Sequence, residues 1–230
     1  AYKKVKLKSG KYLIFFSPNF LIHLLVRDFY KKEPETIEWI DNFKKDKKII
    51  FWDIGSNIGL YSIYAATKIE NIEVISFEPS TSNLRILSRN ISINHLESKI
   101  KIFQIPLGIH KNNFLEFSEG KFIEGESNNS IDKNINFEGK EMKPDNKYQI
   151  FSTNIDEIID NQILDIPDYI KIDVDGVEHL ILKGGIKLFK NPKILEIQIE
   201  INENYIDQYN NVLKIMDELL FKFKEKKRND

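Results

Sequence analysis

At 230 residues the chain has the length of one ordinary domain, and 41% hydrophobic with 30% charged residues is the balance of a soluble globular protein. Its 34 basic and 35 acidic residues leave a formal net charge of -1, which argues against a broad phosphate-binding surface and so against a nucleic-acid substrate. With no cysteine, disulfides, thiolate nucleophiles and cysteine-based zinc sites are excluded together.

No apolar run approaches the ~18 residues that span a bilayer. The longest, residues 12–26, is interrupted by Ser17, Pro18, Asn19 and His23. The basic start, Ala1-Tyr2-Lys3-Lys4, is not followed by the apolar stretch and cleavage site of a leader, so the chain reads as cytoplasmic. Without an initiator Met it reads as a processed chain or a piece of a longer one.

Residues 1–48 form an amphipathic N-terminal extension. Val5, Leu7, Tyr12, Ile14 and Phe16 predict short strands turning at Ser9-Gly10. Pro34-Glu35-Thr36 predicts a helix start, with Pro early and acids in the first turn; the segment is a cap on the sheet or a lid over a ligand. Residues 49–230 form the second unit. Ile49-Ile50-Phe51-Trp52 is continuously apolar, as suits a central parallel strand covered on both faces. A helix over 58–68, a strand over 72–77, a helix from Ser80 to about Asn94 and a strand over 100–105 follow. This β-α-β-α-β order predicts an α/β fold with an open, doubly wound, mostly parallel sheet.

Asn112 to Phe117 reads as an extra strand. The polar stretch from Ser118 to Lys147 reads as a lid, a binding loop or a flexible insertion. Tyr169 to Asp173 resumes the parallel rhythm, a helix over 177–183 stops at Gly184-Gly185, and 194–201 is a further strand. Residues 211–220 are amphipathic and helical, and Phe221-Lys222-Phe223-Lys224 alternates like a strand.

Two motifs bear chemistry. Asp53-Ile54-Gly55-Ser56-Asn57-Ile58-Gly59 lies between a buried strand and a helix, where glycine allows a sharp turn and close approach of a ligand. It is neither a P-loop nor the G-x-G-x-x-G spacing of dinucleotide sites. Glu78 ends the next strand, where an acid accepts hydrogen bonds from two ribose hydroxyls; together they predict an adenosine-like ligand. The second motif, Ile170 to His179, gathers Asp173, Asp175, Glu178 and His179 at a strand's carboxyl end. These carboxylates are candidates to hold a cofactor ammonium or accept a proton, while Asp175 and Glu178 serve equally as helix caps. Glu200 and Asn202 end the following strand and are candidates for substrate contact or plain strand-end polarity. A divalent metal has no support beyond this acidic composition, so no metal site is assigned.

The two motifs, in this order and separation, resemble those of the FkbM family of methyltransferases. The resemblance covers residues 33 to 202: Asp53 to Ser62, Phe77-Glu78-Pro79-Ser80-Thr81 with Asn83, Leu84 and Asn90, Pro106-Leu107-Gly108, Thr153 to Asp156, and Ile170 to Glu178, where Asp175 and Val177 replace the usual Glu and Ala. It implies a Rossmann-like class I methyltransferase fold and S-adenosyl-L-methionine as cofactor. Asp53, Gly55, Ser56, Asn57 and Gly59 would line the cofactor's methionine end, Glu78 its ribose, Ser80 and Asn83 its adenosine. Asp173 would lie by the reacting methyl group. It also implies methylation of a hydroxyl on a sugar, glycan or small natural product. An alcohol is a poor nucleophile, so a general base is expected: Asp173 or Glu178, with His179 and His110 in reserve. The competing readings are a noncatalytic adenosyl-binding partner subunit and an NAD-linked oxidoreductase. The sequence assigns neither the acceptor nor an oligomeric state.

Overall fold

The computed structural model describes residues 1–227 except 45, 128, 132–137 and 142. β1 (Tyr2–Lys6) and β2 (Tyr12–Phe16) form an antiparallel hairpin, with the turn around Gly10 at φ +86°. The apolar run over 12–26 divides at Ser17–Asn19. Asn19 Oδ1 accepts the Ile22 N–H at 2.9 Å and so caps α1 (Phe20–Arg27), a helix the sequence pattern did not announce. α2 (Phe29–Lys32) and α3 (Pro34–Asp41) complete the N-terminal layer, the latter opening at Pro34 as expected.

β3 (Ile49–Ile54) is buried at every position, the mark of a central strand. α4 (Leu60–Lys68), β4 (Ile72–Phe77), α5 (Thr81–Ile93) and β5 (Ile100–Phe103) follow. β6 (Asn113–Glu119), β7 (Asn129–Ile131) and β8 (Asn146–Ser152) form a separate antiparallel sheet in the order β7-β6-β8. Strands thus occupy both ends of the stretch expected to be a long loop; residues 128, 132–137 and 142 of it lie outside the described residues. α6 (Ile155–Asp160), β9 (Tyr169–Ile172), α7 (Glu178–Lys183), α8 (Ile186–Phe189), β10 (Glu196–Ile199) and α9 (Ile206–Glu218) close the chain. Residues 221–227 form no strand despite their alternation, although Lys224 reaches Glu196 of the edge strand β10 at 2.9 Å.

The main sheet is five-stranded and parallel, in the order β10-β9-β3-β4-β5. It is the doubly wound α/β fold expected. Alternate residues of β3 supply two cores: Ile49 and Phe51 face the hairpin, α1, α3, α4 and α5, whereas Ile50, Trp52 and Ile54 face α6, α7, α8 and α9. α4 is covered twice, by the sheet beneath and the N-terminal layer above, so Leu60 through Ala66 are all buried. Phe29 packs against Tyr61 and Tyr64 with ring centroids 6.4 and 5.7 Å apart, fastening that layer down. Strand order reverses between β3 and β9, and the carboxyl ends of these two strands open the crevice where such sheets bind ligands.

Candidate active site

A cavity of about 410 Å³ occupies that crevice, within the ~300–1,000 Å³ of small-molecule sites. Gly55, Ser56, Asn57, Glu78, Asn83 and Asp173 all lie in its wall. Asp53, Gly59, Ser80, Glu178 and His179 do not.

Gly55 turns the chain out of β3 at φ +86°, and a Cβ there would lie 1.8 Å from the Asp173 carbonyl oxygen. Only glycine lets the two motifs meet at this point. Asn57 follows at φ +51°. Its side-chain amide donates to the Gly125 and Glu126 carbonyls, both at 3.2 Å, which leaves its Oδ1 buried in the wall without a partner. Such an orphaned acceptor fits a ligand that brings a donor.

Glu78 is 4% exposed, and its carboxylate accepts the Asn57 N–H at 2.8 Å and the Ser80 N–H at 2.9 Å. Burial pushes the carboxyl up to about 7, against the pull of those two N–H groups. Each oxygen keeps lone-pair capacity for a further donor, which fits a ribose diol. The adenosyl cofactor implied by the motifs is thus matched by a turn without a side chain, an orphaned amide oxygen and a buried acid.

The residues outside the wall act on it from behind. Asp53 points to the α4 side, where Oδ2 accepts the Ser62 hydroxyl at 2.5 Å. Gly59 caps α4 in the left-handed conformation. Ser80 caps α5, and its hydroxyl donates to Glu119 at 2.7 Å. Asn83, itself in the wall, donates to the Glu126 carbonyl at 3.0 Å and accepts the Gly125 N–H at 2.8 Å, so with Asn57 it pins residues 125–126 against the cavity. The Glu178 carboxylate accepts the Val174 N–H at 3.1 Å, the Gly176 N–H at 3.3 Å and the Gln208 amide, bracing the turn after β9. In that turn Asp175 lines the cavity at φ +57°, a conformation Asp tolerates better than most residues.

The opposite half of the wall is strongly charged. Lys171, 3% exposed, extends its Nζ to 2.5 Å from Asp173 Oδ2 and 3.5 Å from Glu33 Oε2, over the Tyr61 ring. Burial opposes the charge on Lys171, but Asp173, Glu33 and Asp53 outweigh it and raise its pKa. Burial likewise opposes the charge on Asp173, yet Lys171 beside it holds this carboxyl well below the usual range. Glu200 stands next to Asp173, whose charge and hydrogen bond, with burial, push it up to about 9. Asp175 is raised by burial first and by Asp173 second.

Several of these groups were not singled out from the sequence. Leu21, Leu25, Lys32 and Glu33 come from the N-terminal layer, and only chain folding brings them to the site. Lys171 did leave a signal, since a lysine inside the apolar Ile170-Lys171-Ile172 run of a doubly covered strand must find a buried partner. Among the described residues no group of His, Asp and Glu side chains is arranged to hold a metal ion, and no helix is long and apolar enough to cross a membrane.

Residues 53–224 match the family described as the methyltransferase FkbM domain. Among curated proteins, the chain is 26% identical over 151 residues to "Methyltransferase sdnD" of Sordaria araneosa, covering 57% of this chain and 58% of that protein. Among solved structures it resembles a SAM-dependent methyltransferase from Agrobacterium tumefaciens, at 12% identity and a TM-score of 0.52, over 94% of this chain and 58% of that one. A methyltransferase FkbM from Methylobacillus flagellatus KT aligns at 19% identity and a TM-score of 0.48, over 75% of this chain and 37% of that one. The chain therefore spans a little over half the length of its curated relative.

Proposed function

The chain belongs to the FkbM methyltransferase family, and from that premise we propose that it is an S-adenosylmethionine-dependent O-methyltransferase acting on a hydroxyl of a sugar, glycan or small natural product. The observation behind this reading is the buried Glu78 carboxylate, held by the Asn57 and Ser80 N–H groups in the wall of the switch-point cavity. When bound, the cofactor supplies a methyl group on a positively charged sulfur.

The chain's own residues then have three tasks. Gly55, Ser56, Asn57 and Glu78 bind and orient the cofactor, with Asp53, Gly59, Ser80 and Asn83 holding those binding residues in place. Leu21, Leu25, Phe117 and Ile131, all in the cavity wall, exclude water from it. Asp173 accepts the hydrogen bond of the acceptor hydroxyl and directs its oxygen toward the methyl carbon. Glu178 positions Asp173 and Asp175 through the turn it braces, and His179 has no part in the step. An acceptor bearing hydroxyls suits this half of the wall, where Glu33, Asp173, Asp175 and Glu200 offer hydrogen-bond acceptors. A phosphate would meet those same carboxyl groups and is disfavoured.

Titration calorimetry with S-adenosylmethionine tests the reading. Binding by the parent, loss of at least tenfold in affinity for Glu78→Ala and no binding of NADH are expected. A folded parent that ignores S-adenosylmethionine, or that prefers NADH, would overturn it. A folded parent that binds S-adenosylmethionine but methylates nothing in a broad panel of hydroxyl compounds would point to the noncatalytic partner instead.

A further inference from the structure

Asp173 and Glu200 each continue a strand by one residue. Ile172 pairs with Ile199, and the Glu200 N–H donates to the Ile172 carbonyl at 3.0 Å, so the parallel register sets the two carboxyl groups side by side on one face. Both lie in the cavity wall. On the other flank of Asp173 stands Gly55, with no side chain, so nothing from β3 shields the pair from a bound ligand. One row below, Asp53, Lys171 and Gln198 are paired across the same three strands.

The charged groups facing the pair come from every element around it. Lys171 offers the nearest cation, shared between Asp173 and Glu33 of the N-terminal layer. Lys32 acts on Asp173 from that same layer, and the carboxyl groups of Asp53 and Asp175 face it from β3 and from the turn after β9, both raised by burial and by Asp173. Tyr61 of α4 lies beneath Lys171, its buried hydroxyl without a hydrogen-bond partner of ordinary geometry. Two adjacent carboxyl groups with one shared cation retain a proton between them, and the pair titrates as a unit.

We propose that the Asp173–Glu200 pair is the site's proton carrier, matched to the charge of the sulfonium: it holds one proton in the free protein, releases it when S-adenosylmethionine docks, and takes up the acceptor's proton as the methyl group moves. The proposal rests on the methyltransferase reading above. In the transfer the acceptor oxygen bonds to the methyl carbon. The carbon–sulfur bond breaks with its electron pair remaining on sulfur, and the hydroxyl proton passes to the pair. The positive charge lost at sulfur is replaced by that proton, so the net charge within the cavity is conserved. S-adenosylhomocysteine, with no charge on sulfur, is therefore left beside a pair returned to the singly charged state of the free protein. The attraction between sulfonium and doubly charged pair is gone, which favours its departure.

Calorimetry of S-adenosylmethionine and S-adenosylhomocysteine binding at pH 8, in phosphate and in Tris, reads protons released from the difference in heat between buffers. The parent is expected to release about one proton more with S-adenosylmethionine than Glu200→Gln does, and no such excess with S-adenosylhomocysteine. The ligand's own ionisations are common to parent and variant and cancel in this comparison. Asp173→Asn is expected to lose the same excess, which keeps the test decisive if Glu200→Gln does not fold. Equal release by parent and variants would overturn the proposal while leaving the methyltransferase reading intact. Failure of the folded parent to bind S-adenosylmethionine would overturn both.

Discussion

Lys171 and Asp173, two positions apart on one strand and so on the same face, form an ion pair with Nζ 2.5 Å from Oδ2 at the edge of the cavity. The same ammonium reaches Glu33, which joins the sheet to the N-terminal layer. Lys171→Met would take from two largely buried carboxylates their nearest shared cation, leaving only the more exposed Lys32 near them. Breaking a buried pair from one side costs about 3–5 kcal/mol, so urea unfolding is expected to show a loss of that size. A variant as stable as the parent would show that the two acids are satisfied without Lys171.

Gly55 carries the second prediction. A methyl group added there would overlap the Asp173 carbonyl, 1.8 Å away, in a backbone conformation already unfavourable to an L side chain. Gly55→Ala is expected to lose about 3 kcal/mol or more of stability and to abolish cofactor binding. Thermal unfolding and calorimetry read the two effects separately.

Glu78 titrates in the wrong place for a stable fold. Its ordinary value is 4.5 and the folded value about 7, so between these the folded protein holds a proton that the unfolded chain releases. Stability present below 4.5 is therefore lost as pH rises to about 7, by an amount on the order of 3 kcal/mol. Glu78→Gln should flatten the dependence of Tm on pH in that window. It should also weaken S-adenosylmethionine binding by about 10–100-fold, as expected for losing charge-assisted hydrogen bonds.

The brace under the turn after β9 gives a further test. Glu178→Ala strips the acceptor from the Val174 and Gly176 N–H groups and from Gln208. The expected cost is about 2 kcal/mol in stability and at least tenfold in kcat, with cofactor affinity little changed. Glu178→Gln keeps a carbonyl acceptor and should recover part of the loss. An equal fall in cofactor affinity would place Glu178 in cofactor binding instead.

Period and motif together made the parallel sheet and its ligand-binding edge legible in the sequence. Apolar runs ending in Asp53, Glu78 and Asp173 are strands with polar carboxyl ends, and the glycine turn after the first of them admits a ligand. These are local properties, readable wherever strand, turn and helix follow in order. Tertiary structure decided which side chains enter the cavity. Asp53 belongs to the first motif yet turns to Ser62 of α4, one row below Gly55 on the same face, and stays out of the cavity wall. Glu178 belongs to the second yet is consumed by the turn before it. Conversely, Lys32 and Glu33 approach Asp173 in the cavity wall from more than a hundred residues away, and Glu200 meets Asp173 only through the register of β9 and β10. Motif spacing places residues along a chain, whereas charge pairing and proton sharing depend on distances that only packing sets.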